Sequence, residues 1–224
     1  MHVPTVPLFP LRTVLVPGLV LPLHIFEPRY RLMISMLTDA PEDERGFGIV
    51  AMRPGRSESD GRDGIYEVGT MARITKVDAL PDGRYDVVTV GARRFSIESL
   101  DDEMPYTRAE VRLHDEPIGE PARTRQLAHD AVRLLEAYRD VIAGWGVIRM
   151  AHIDHLPEDP VVLSYLVASA IVTDLPERQA LLGIADAEQR LESVCAVLRR
   201  EIEVMGALPS MPAVDLAGAR LWAN

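Results

Sequence analysis

The sequence predicts an α+β protein in which a closed or nearly closed β-barrel, with one inserted helix, precedes an α-helical bundle. Through about residue 115 the chain consists of strand-length apolar runs separated by Pro, Gly and Asp turns. After Glu116-Pro117 the apolar residues recur at helical spacing. The chain has 224 residues, of which 47% are hydrophobic and 26% charged, as in ordinary globular proteins. We expect a barrel subdomain over 1–116, a bundle subdomain over 117–206 and an irregular tail over 207–224.

Six or seven strands are expected in the first half. Pro17-Gly18 separates two apolar runs, and Pro81-Asp82-Gly83 is typical of a hairpin turn. One helix is expected to begin at Pro28, because proline suits the first helical position and the apolar residues after it have helical spacing. Strand number and turn pattern favour a mostly antiparallel barrel. The expected strands are Val14–Val16, Leu19–Leu23, Gly46–Met52, Glu67–Leu80, Tyr85–Val90, Phe95–Leu100 and Thr107–Leu113.

One segment between the strands has a different composition. Arg53–Gly64 is rich in Gly, Ser, Asp and Arg and contains almost no apolar residue. This composition predicts an exposed, mobile loop that is dispensable for folding.

Helices are expected throughout the second half. Asp159-Pro160 is typical of a helix start, and so is the pairing of Asp174 with Pro176. Asp186 and Gln189 resemble a capping box. Because the run after Pro160 is almost wholly apolar, it predicts a central helix. The expected helices cover Arg123–Ile142, Val161–Thr173, Glu177–Leu182 and a final helix from Asp186 to about Met205.

The charge of the chain disfavours broad nucleic-acid binding. The formal net charge is −10, with 14 basic and 19 acidic residues through Glu116 and 10 and 15 after it, so each half carries −5. Binding to a phosphate backbone requires a surface dense in Lys and Arg. The chain contains one lysine, Lys76, and no GxxxxGK motif, which excludes a phosphate loop of that type.

The sequence also indicates where the protein resides. It has no basic, apolar leader at its start, and its longest apolar run, Val161–Val172, has 12 residues where a membrane span needs about 20. The single cysteine, Cys195, excludes an intrachain disulfide. We therefore expect a cytoplasmic protein that does not bind a membrane.

No group of residues predicts catalysis. His152 and His155 could share one helical turn, but a zinc site needs three or four ligands. Cys195 lies on an apolar helical face, where a thiol behaves as a small hydrophobe. The acidic clusters are typical of solvated turns, and no serine lies in a GxSxG frame. We expect a protein that is not an enzyme and holds no metal or cofactor.

An ordered series of short motifs covers nearly the whole chain to about Met205. The motifs are Leu11-Arg12 through Phe26-Glu27-Pro28-Arg29-Tyr30, Phe47-Gly48-Ile49-Val50, Gly69-Thr70-x-Ala72, Leu80-Pro81-Asp82-Gly83-Arg84-Tyr85, Val90-Gly91-x-Arg93-Arg94-Phe95, Tyr165-Leu166-Val167-Ala168-Ser169 and Asp174-Leu175-Pro176-Glu177-Arg178. No single motif is decisive, but their number and order make chance agreement improbable. Together they resemble the Lon protease N-terminal, substrate-binding domain family, especially its stand-alone bacterial members.

The resemblance implies a PUA-like barrel followed by a helical bundle, and binding of protein substrates rather than chemistry. The AAA+ module and Ser–Lys peptidase of full-length Lon have no counterpart in this sequence, so those activities do not carry over. We expect a protein-binding module that captures apolar or extended client segments, in a groove between barrel and bundle or at an open strand edge. The resemblance also suggests a separate protease or chaperone as a partner.

Five residues are candidate contacts for such a segment: Arg29, Tyr30, Phe47, Tyr106 and Trp145. Arg29 and Tyr30 could face a cleft, but a local ion pair of Arg29 with the neighbouring Glu27 is the favoured alternative. Phe47 and Trp145 are flanked by glycines, which suggests exposure beside a groove, although packing between the subdomains is the slightly favoured alternative for Trp145.

RNA binding is the main alternative function, because PUA-like barrels also occur in RNA-associated proteins. A local arginine cluster at Arg53, Arg56 and Arg62 could contribute to it, whereas the even distribution of negative charge argues against it. A cryptic hydrolytic enzyme is a third class, and no constellation of residues supports it.

Overall fold

The computed structural model of the protein describes residues 4–144 and 156–207. Within these ranges it contains six strands, five α-helices and two short 3-10 helices, and no helix there is both long and apolar enough to cross a membrane. The strands are β1 (Thr5–Leu11), β2 (Val20–Ile25), β3 (Gly46–Ala51), β4 (Val68–Ala79), β5 (Tyr85–Asp101) and β6 (Arg108–Leu113). The helices are α1 (Pro28–Asp39), α2 (Pro121–Gly144), α3 (Pro160–Ala170), α4 (Leu175–Gly183) and α5 (Ala187–Ala207).

The long strand β5 closes the sheet into a barrel. It pairs with β2 along its first half, with β4 from Tyr85 to Ser96, and with β6 from Phe95 to Asp101, all antiparallel. β6 then pairs with β1, which lies parallel to β3, and β3 returns to β4. Five strands therefore form a ring, and β2 extends the sheet on the first half of β5. The predicted α+β class, with a mostly antiparallel barrel before helices, is confirmed.

At the start of the chain one strand was missed and one predicted strand, Val14–Val16, is wrong. The first strand is Thr5–Leu11, which the prolines at positions 7 and 10 conceal. Val14 and Val16 belong to no strand; they are buried against Tyr165 and Leu182 of the helical half. Their apolar character reflects contact between barrel and bundle, not pairing within the sheet.

Helix α1 packs against apolar residues of the barrel strands. It begins at Pro28, and Tyr30, Met33 and Ile34 are its buried residues, as their spacing predicts. The Tyr30 ring lies 4.3 Å from that of Phe9 on β1, and Phe9 lies 5.8 Å from Phe47 on β3, measured between centroids. The inserted helix thus completes the apolar core of the barrel.

The helical half follows the capping pattern of the sequence. Asp159 accepts a hydrogen bond from Val161 N, and Asp174 accepts one from Glu177 N. Asp186 accepts bonds from both the backbone and the side chain of Gln189. Each cap satisfies N–H groups that the first turn of a helix leaves unpaired. The caps therefore fix where α3, α4 and α5 begin.

The Gly- and Ser-rich loop is exposed as predicted, but its contacts differ from the expectation. It contains a 3-10 helix over Glu58–Gly64. Glu58 lies 2.6 Å from Arg29 Nη1 and accepts a hydrogen bond from Tyr30 OH on α1. Arg62 donates to two backbone carbonyls of β5. Polar side chains therefore attach the loop where the sequence offers no apolar ones, and its mobility and its dispensability for folding stay predictions.

Candidate functional site

A buried polar cluster joins the barrel to the bundle. Arg94 on β5 is 2% exposed, and its guanidinium donates to carbonyls of the α4–α5 connection at 2.8 to 3.0 Å. Arg94 Nε lies 2.7 Å from Glu116 Oε1, and Arg190 Nη2 of α5 lies 3.2 Å from Glu116 Oε2. Tyr165 of α3 donates its hydroxyl to the same carboxylate at 2.8 Å. One carboxylate therefore holds together a strand and two helices.

Arg190 shows how closely this cluster is packed. Its side chain is fully buried, and its guanidinium carbon lies 3.7 Å from the centre of the Tyr165 ring. Burial lowers the pKa of Arg190, and raises that of Tyr165, because each charged form loses solvation. Such a cluster fixes the barrel and the helices relative to each other, so surfaces formed at their junction are preorganised.

The turn at Pro17-Gly18 is held against β5 at this junction. Gly18 N donates to Gly91 O, and Gly91 N donates to Leu19 O. Gly18 has φ +83°, a conformation that favours glycine. A Cβ at residue 91 would lie 2.2 Å from the Val16 carbonyl oxygen, so the approach of the turn requires glycine there as well.

An apolar surface runs between this turn and α3, and we call it the barrel–bundle seam. Val162, Leu166 and Ser169 share one face of α3 at helical spacing. Leu19 on the turn is 37% exposed, and Val162 on α3 is 38% exposed. A shallow cavity of about 30 Å³ lies between the turn and α3. The seam is lined by Val16, Pro17, Gly18, Leu19, Val162, Leu166 and Ser169.

The open strand edge beside the seam is poorly suited to pairing with another chain. β2 pairs with β5 on one side and with no described strand on the other. Gly91 N donates to Leu19 O, and hydrogen-bonded pairs alternate along antiparallel strands. In that register the nitrogen of Pro22 faces the open edge, where it has no hydrogen to donate. Of the two expected capture modes, the geometry favours the groove.

A second, larger groove lies between α2 and the start of α3, and we call it the α2–α3 groove. Its volume is about 450 Å³. Arg125, His129 and Glu158 contribute polar groups to its rim, whereas the remaining lining is largely apolar. That remaining lining consists of Ile118, Pro121, Thr124, Ala128, Val132, Leu156, Pro157, Pro160 and Leu163.

The predicted contact residues do not form one surface. Phe47 is fully buried in the barrel core, so its predicted exposure is wrong; its flanking glycines permit close packing instead. A Cβ at residue 48 would lie 2.7 Å from the Phe95 ring. Tyr106 is 4% exposed, and its hydroxyl lies 3.5 Å from Met36 Sδ. Trp145 lies outside the described residues.

Arg29 and Tyr30 belong to a cluster beneath the 3-10 helix of the loop. Arg29 donates to Glu27 at 2.9 Å, which is the local ion pair that the sequence favoured. Its guanidinium also lies 4.5 Å from the centre of the Tyr30 ring. Tyr30 is 3% exposed, and burial together with Glu58 raises the pKa of its hydroxyl. These contacts give both residues a role in attaching the loop.

Sequence reasoning missed the seam residues on α3. The apolar run after Pro160 predicted a wholly central helix, although Val162 is exposed. The sequence did carry a signal for this exposure, because the run after Pro160 has more apolar residues than one buried helix face can hold.

No cluster of three or more His, Cys, Asp or Glu residues that could hold a metal occurs in residues 4–144 and 156–207. His152 and His155 lie outside those ranges.

Comparison with known sequences identifies a family. The family described as the ATP-dependent protease La (LON) substrate-binding domain matches residues 5–200. Relatives include Lon protease 2 of Myxococcus xanthus, 30% identical over 89% of this chain, and Lon protease 2 of Herpetosiphon aurantiacus, 31% identical over 92%. The aligned region makes up 24% of each of these relatives, so the chain spans about a quarter of their length.

Solved structures of the same kind share the fold. A Lon N-terminal domain protein from Xanthomonas campestris superposes with a TM-score of 0.59 at 24% identity, covering 86% of this chain and 98% of that one. The N-terminal domain of Mycobacterium avium complex Lon protease gives 0.62 at 22% identity, covering 89% and 98%. The family match over residues 5–200 and the shared barrel-and-bundle fold lead to one conclusion: this chain belongs to the Lon substrate-binding domain family.

Proposed function

We propose that the protein is a non-catalytic binding module that captures exposed apolar or extended segments of client proteins in the cytoplasm. Membership of a substrate-binding domain family supports protein substrates as the ligand class. The observation that carries the proposal is the barrel–bundle seam, where Leu19 and Val162 remain exposed on opposite sides of a cavity. A separate protease or chaperone would then act on the captured client.

The physical basis of capture is burial of apolar surface. An apolar client side chain that enters the seam removes from water its own surface and that of Leu19 and Val162. Each Å² of apolar surface buried in this way stabilises the complex by about 25 cal/mol. Because the Arg94–Glu116–Arg190 cluster fixes both sides of the seam, little of this free energy is lost in ordering the site. The seam contains no charged lining residue, so binding should be insensitive to salt.

The local arginine cluster gives little support to the RNA alternative. Arg53 lies 4.6 Å from the centre of the Tyr66 ring and donates to a backbone carbonyl. Arg62 pairs with Glu67 and donates to β5 carbonyls. Two of the three guanidinium groups in this arginine cluster are therefore engaged within the protein and are less available for phosphates.

The test is a binding titration with a permanently unfolded protein, reduced and carboxymethylated α-lactalbumin, monitored by fluorescence anisotropy. Val162→Asp should weaken binding by about tenfold, as expected for an interface anchor worth about 1–2 kcal/mol. Val204→Asp is the matched control, since it introduces the same charge at a valine that is 52% exposed on α5. Equal affinities of the two variants would contradict capture at the seam.

A structured RNA hairpin serves as the competing ligand in the same assay. Client affinity should change little between low and moderate salt, whereas phosphate contacts would produce a steep salt dependence. Tight, salt-sensitive RNA binding without client binding would reject the protein-binding function.

A further inference from the structure

The outer side of α1 carries exposed apolar side chains. The buried residues of this helix are Tyr30, Met33 and Ile34. By contrast, Leu32 is 41% exposed and Met36 is 49% exposed. These two residues are four positions apart, so they lie beside each other on the helix surface. Apolar residues at this spacing form the ridge by which one helix packs on another.

The segment between β5 and β6 extends this apolar surface. The Tyr106 hydroxyl lies 3.5 Å from Met36 Sδ, so the segment lies beside α1. Met104 of the same segment is partly buried and packs against the barrel core, as does Leu37 of α1. Methionine is unbranched and adaptable, so it can fit partner side chains of different shapes. We call the surface formed by Leu32, Met36 and Met104 the α1 face.

Acidic residues border the α1 face where the helix ends. Asp39, Glu42 and Glu44 are exposed, and none of them forms a salt bridge with any residue of 4–144 or 156–207. Arg45, which follows them, donates its Nε to the carbonyl oxygen of Ala40 at 2.9 Å. The carboxylates of this border are therefore available to a cation from outside.

A second acidic border precedes Met104. It consists of Asp101, Asp102 and Glu103, and among the described residues Arg108 alone forms salt bridges with this group, through Asp101 and Glu103. Asp102 instead accepts a hydrogen bond from the Thr107 hydroxyl. Three carboxylates thus share one guanidinium, so this border is also negative.

The arginines of α1 do not reverse the sign of the surface. Arg29 lies between Glu27 and Glu58 and pairs with both. The Arg31 guanidinium lies against the turn between β4 and β5, where a Cβ at residue 83 would be 2.1 Å from Arg31 Nη2. The borders of the α1 face therefore present more carboxylates than cations.

We propose that the α1 face binds a basic amphipathic helix of a partner protein. The apolar side of that helix packs on Leu32, Met36 and Met104, and its Lys or Arg side chains pair with the two acidic borders. The unpaired carboxylates select this partner over an acidic helix, and the net charge of −10 adds long-range attraction. None of these residues lines the seam, so the inference is independent of the proposed function.

The experiment measures the fluorescence anisotropy of fluorescein-labelled 16-residue peptides with leucines at helical spacing and either lysines or glutamates at the flanking positions. The lysine peptide should bind the full chain at least about tenfold more tightly than the glutamate peptide, and its affinity should fall as salt is raised. A lysine peptide with its leucines scrambled should bind at least about tenfold more weakly. Equal affinity of the two lysine peptides would show charge attraction alone and overturn the proposal.

Variants of the full chain locate the site. Leu32→Asn should weaken binding of the lysine peptide by about tenfold, whereas Leu113→Asn, at a leucine that is 37% exposed on β6, should not. Glu42→Lys should weaken it by about threefold, whereas Glu203→Lys, at an exposed glutamate of α5, should not. Equal effects within either pair of variants would contradict binding at the α1 face.

Two further outcomes separate the α1 face from other sites. Val162→Asp, which disrupts the seam, should not weaken binding of the lysine peptide; loss of binding in that variant would assign the peptide to the seam and overturn a separate site. Sedimentation that shows a dimer dissociated by Leu32→Asn would assign the α1 face to a second copy of the chain and reject the proposal.

Discussion

Replacement of Glu116 by Gln tests whether one carboxylate holds the two subdomains together. The carboxylate faces Arg94, which is 2% exposed, and Arg190, which is fully buried, and it also accepts the Tyr165 hydroxyl. Glutamine keeps the shape of the side chain and one acceptor oxygen, but it removes the negative charge and places an NH₂ group beside guanidinium donors. Two buried positive charges then lack their counter-ion.

The burial of these ion pairs sets how much unfolding free energy the Glu116→Gln variant should lose. Removing one partner of a buried ion pair costs about 3–5 kcal/mol, and the 19% exposure of the Glu116 side chain places the estimate near the lower end, at about 3 kcal/mol. With a urea m-value of about 2–3 kcal/mol/M, the unfolding midpoint should fall by about 1–1.5 M. Far-UV circular dichroism during urea titration measures this midpoint.

Asp115→Asn is the matched control on the preceding residue. Asp115 pairs with Arg93 at 3.0 Å, but its side chain is 96% exposed, and such surface pairs contribute about 0–1 kcal/mol. Its midpoint should therefore shift by less than about 0.5 M. If both variants shifted the midpoint equally, the cluster would be an ordinary surface network and the argument from burial would be refuted.

Three further predictions concern buried groups. Cys195 is fully buried and burial raises the pKa of its thiol, so native protein should react slowly with iodoacetamide; fast labelling before unfolding would contradict this. Burial lowers the pKa of His114, so the unfolded state binds the proton more tightly and stability should fall as the pH drops below about 6.5. His114→Gln should reduce this loss in thermal scans between pH 7 and 5, and an unchanged pH profile would exclude His114 as its source. Gly91→Ala places a methyl group against the Val16 carbonyl and should lower stability by about 2 kcal/mol or more. Gly183→Ala is the control and should not lower it, because no other described residue has an atom within 4 Å of the added Cβ.

Local chemistry predicted the helices of this protein well. The caps at Asp159, Asp174 and Asp186 and the proline at the start of α1 act within a few residues, so the sequence alone reveals them. The barrel was predictable as a class from its strands and turns. β1 was not, because its prolines disfavour a central strand and its pairing partners lie about 40 and 100 residues away in the chain.

The candidate site was less predictable because it depends on contacts between distant segments. Nothing local in the sequence indicates that Arg94 and Arg190 are buried and meet at Glu116. Flanking glycines suggested that Phe47 is exposed, whereas they allow close packing around a buried ring. The ion pair of Arg29 with Glu27 could be predicted from the sequence because the two residues are only two positions apart.

The pairing of β1 with β6 has a consequence for how the protein folds during synthesis. The strand that closes the ring, β6, is the last of the six in the sequence. The edge of β1 that pairs with β6 therefore stays unpaired until Glu110, the partner of Thr5, has been synthesised. Contacts across about 100 residues form slowly, because closing such a long loop costs entropy before any contact rewards it. The barrel therefore completes only after β6 has left the ribosome, and until then β1 exposes an unpaired edge to chaperones and to neighbouring chains.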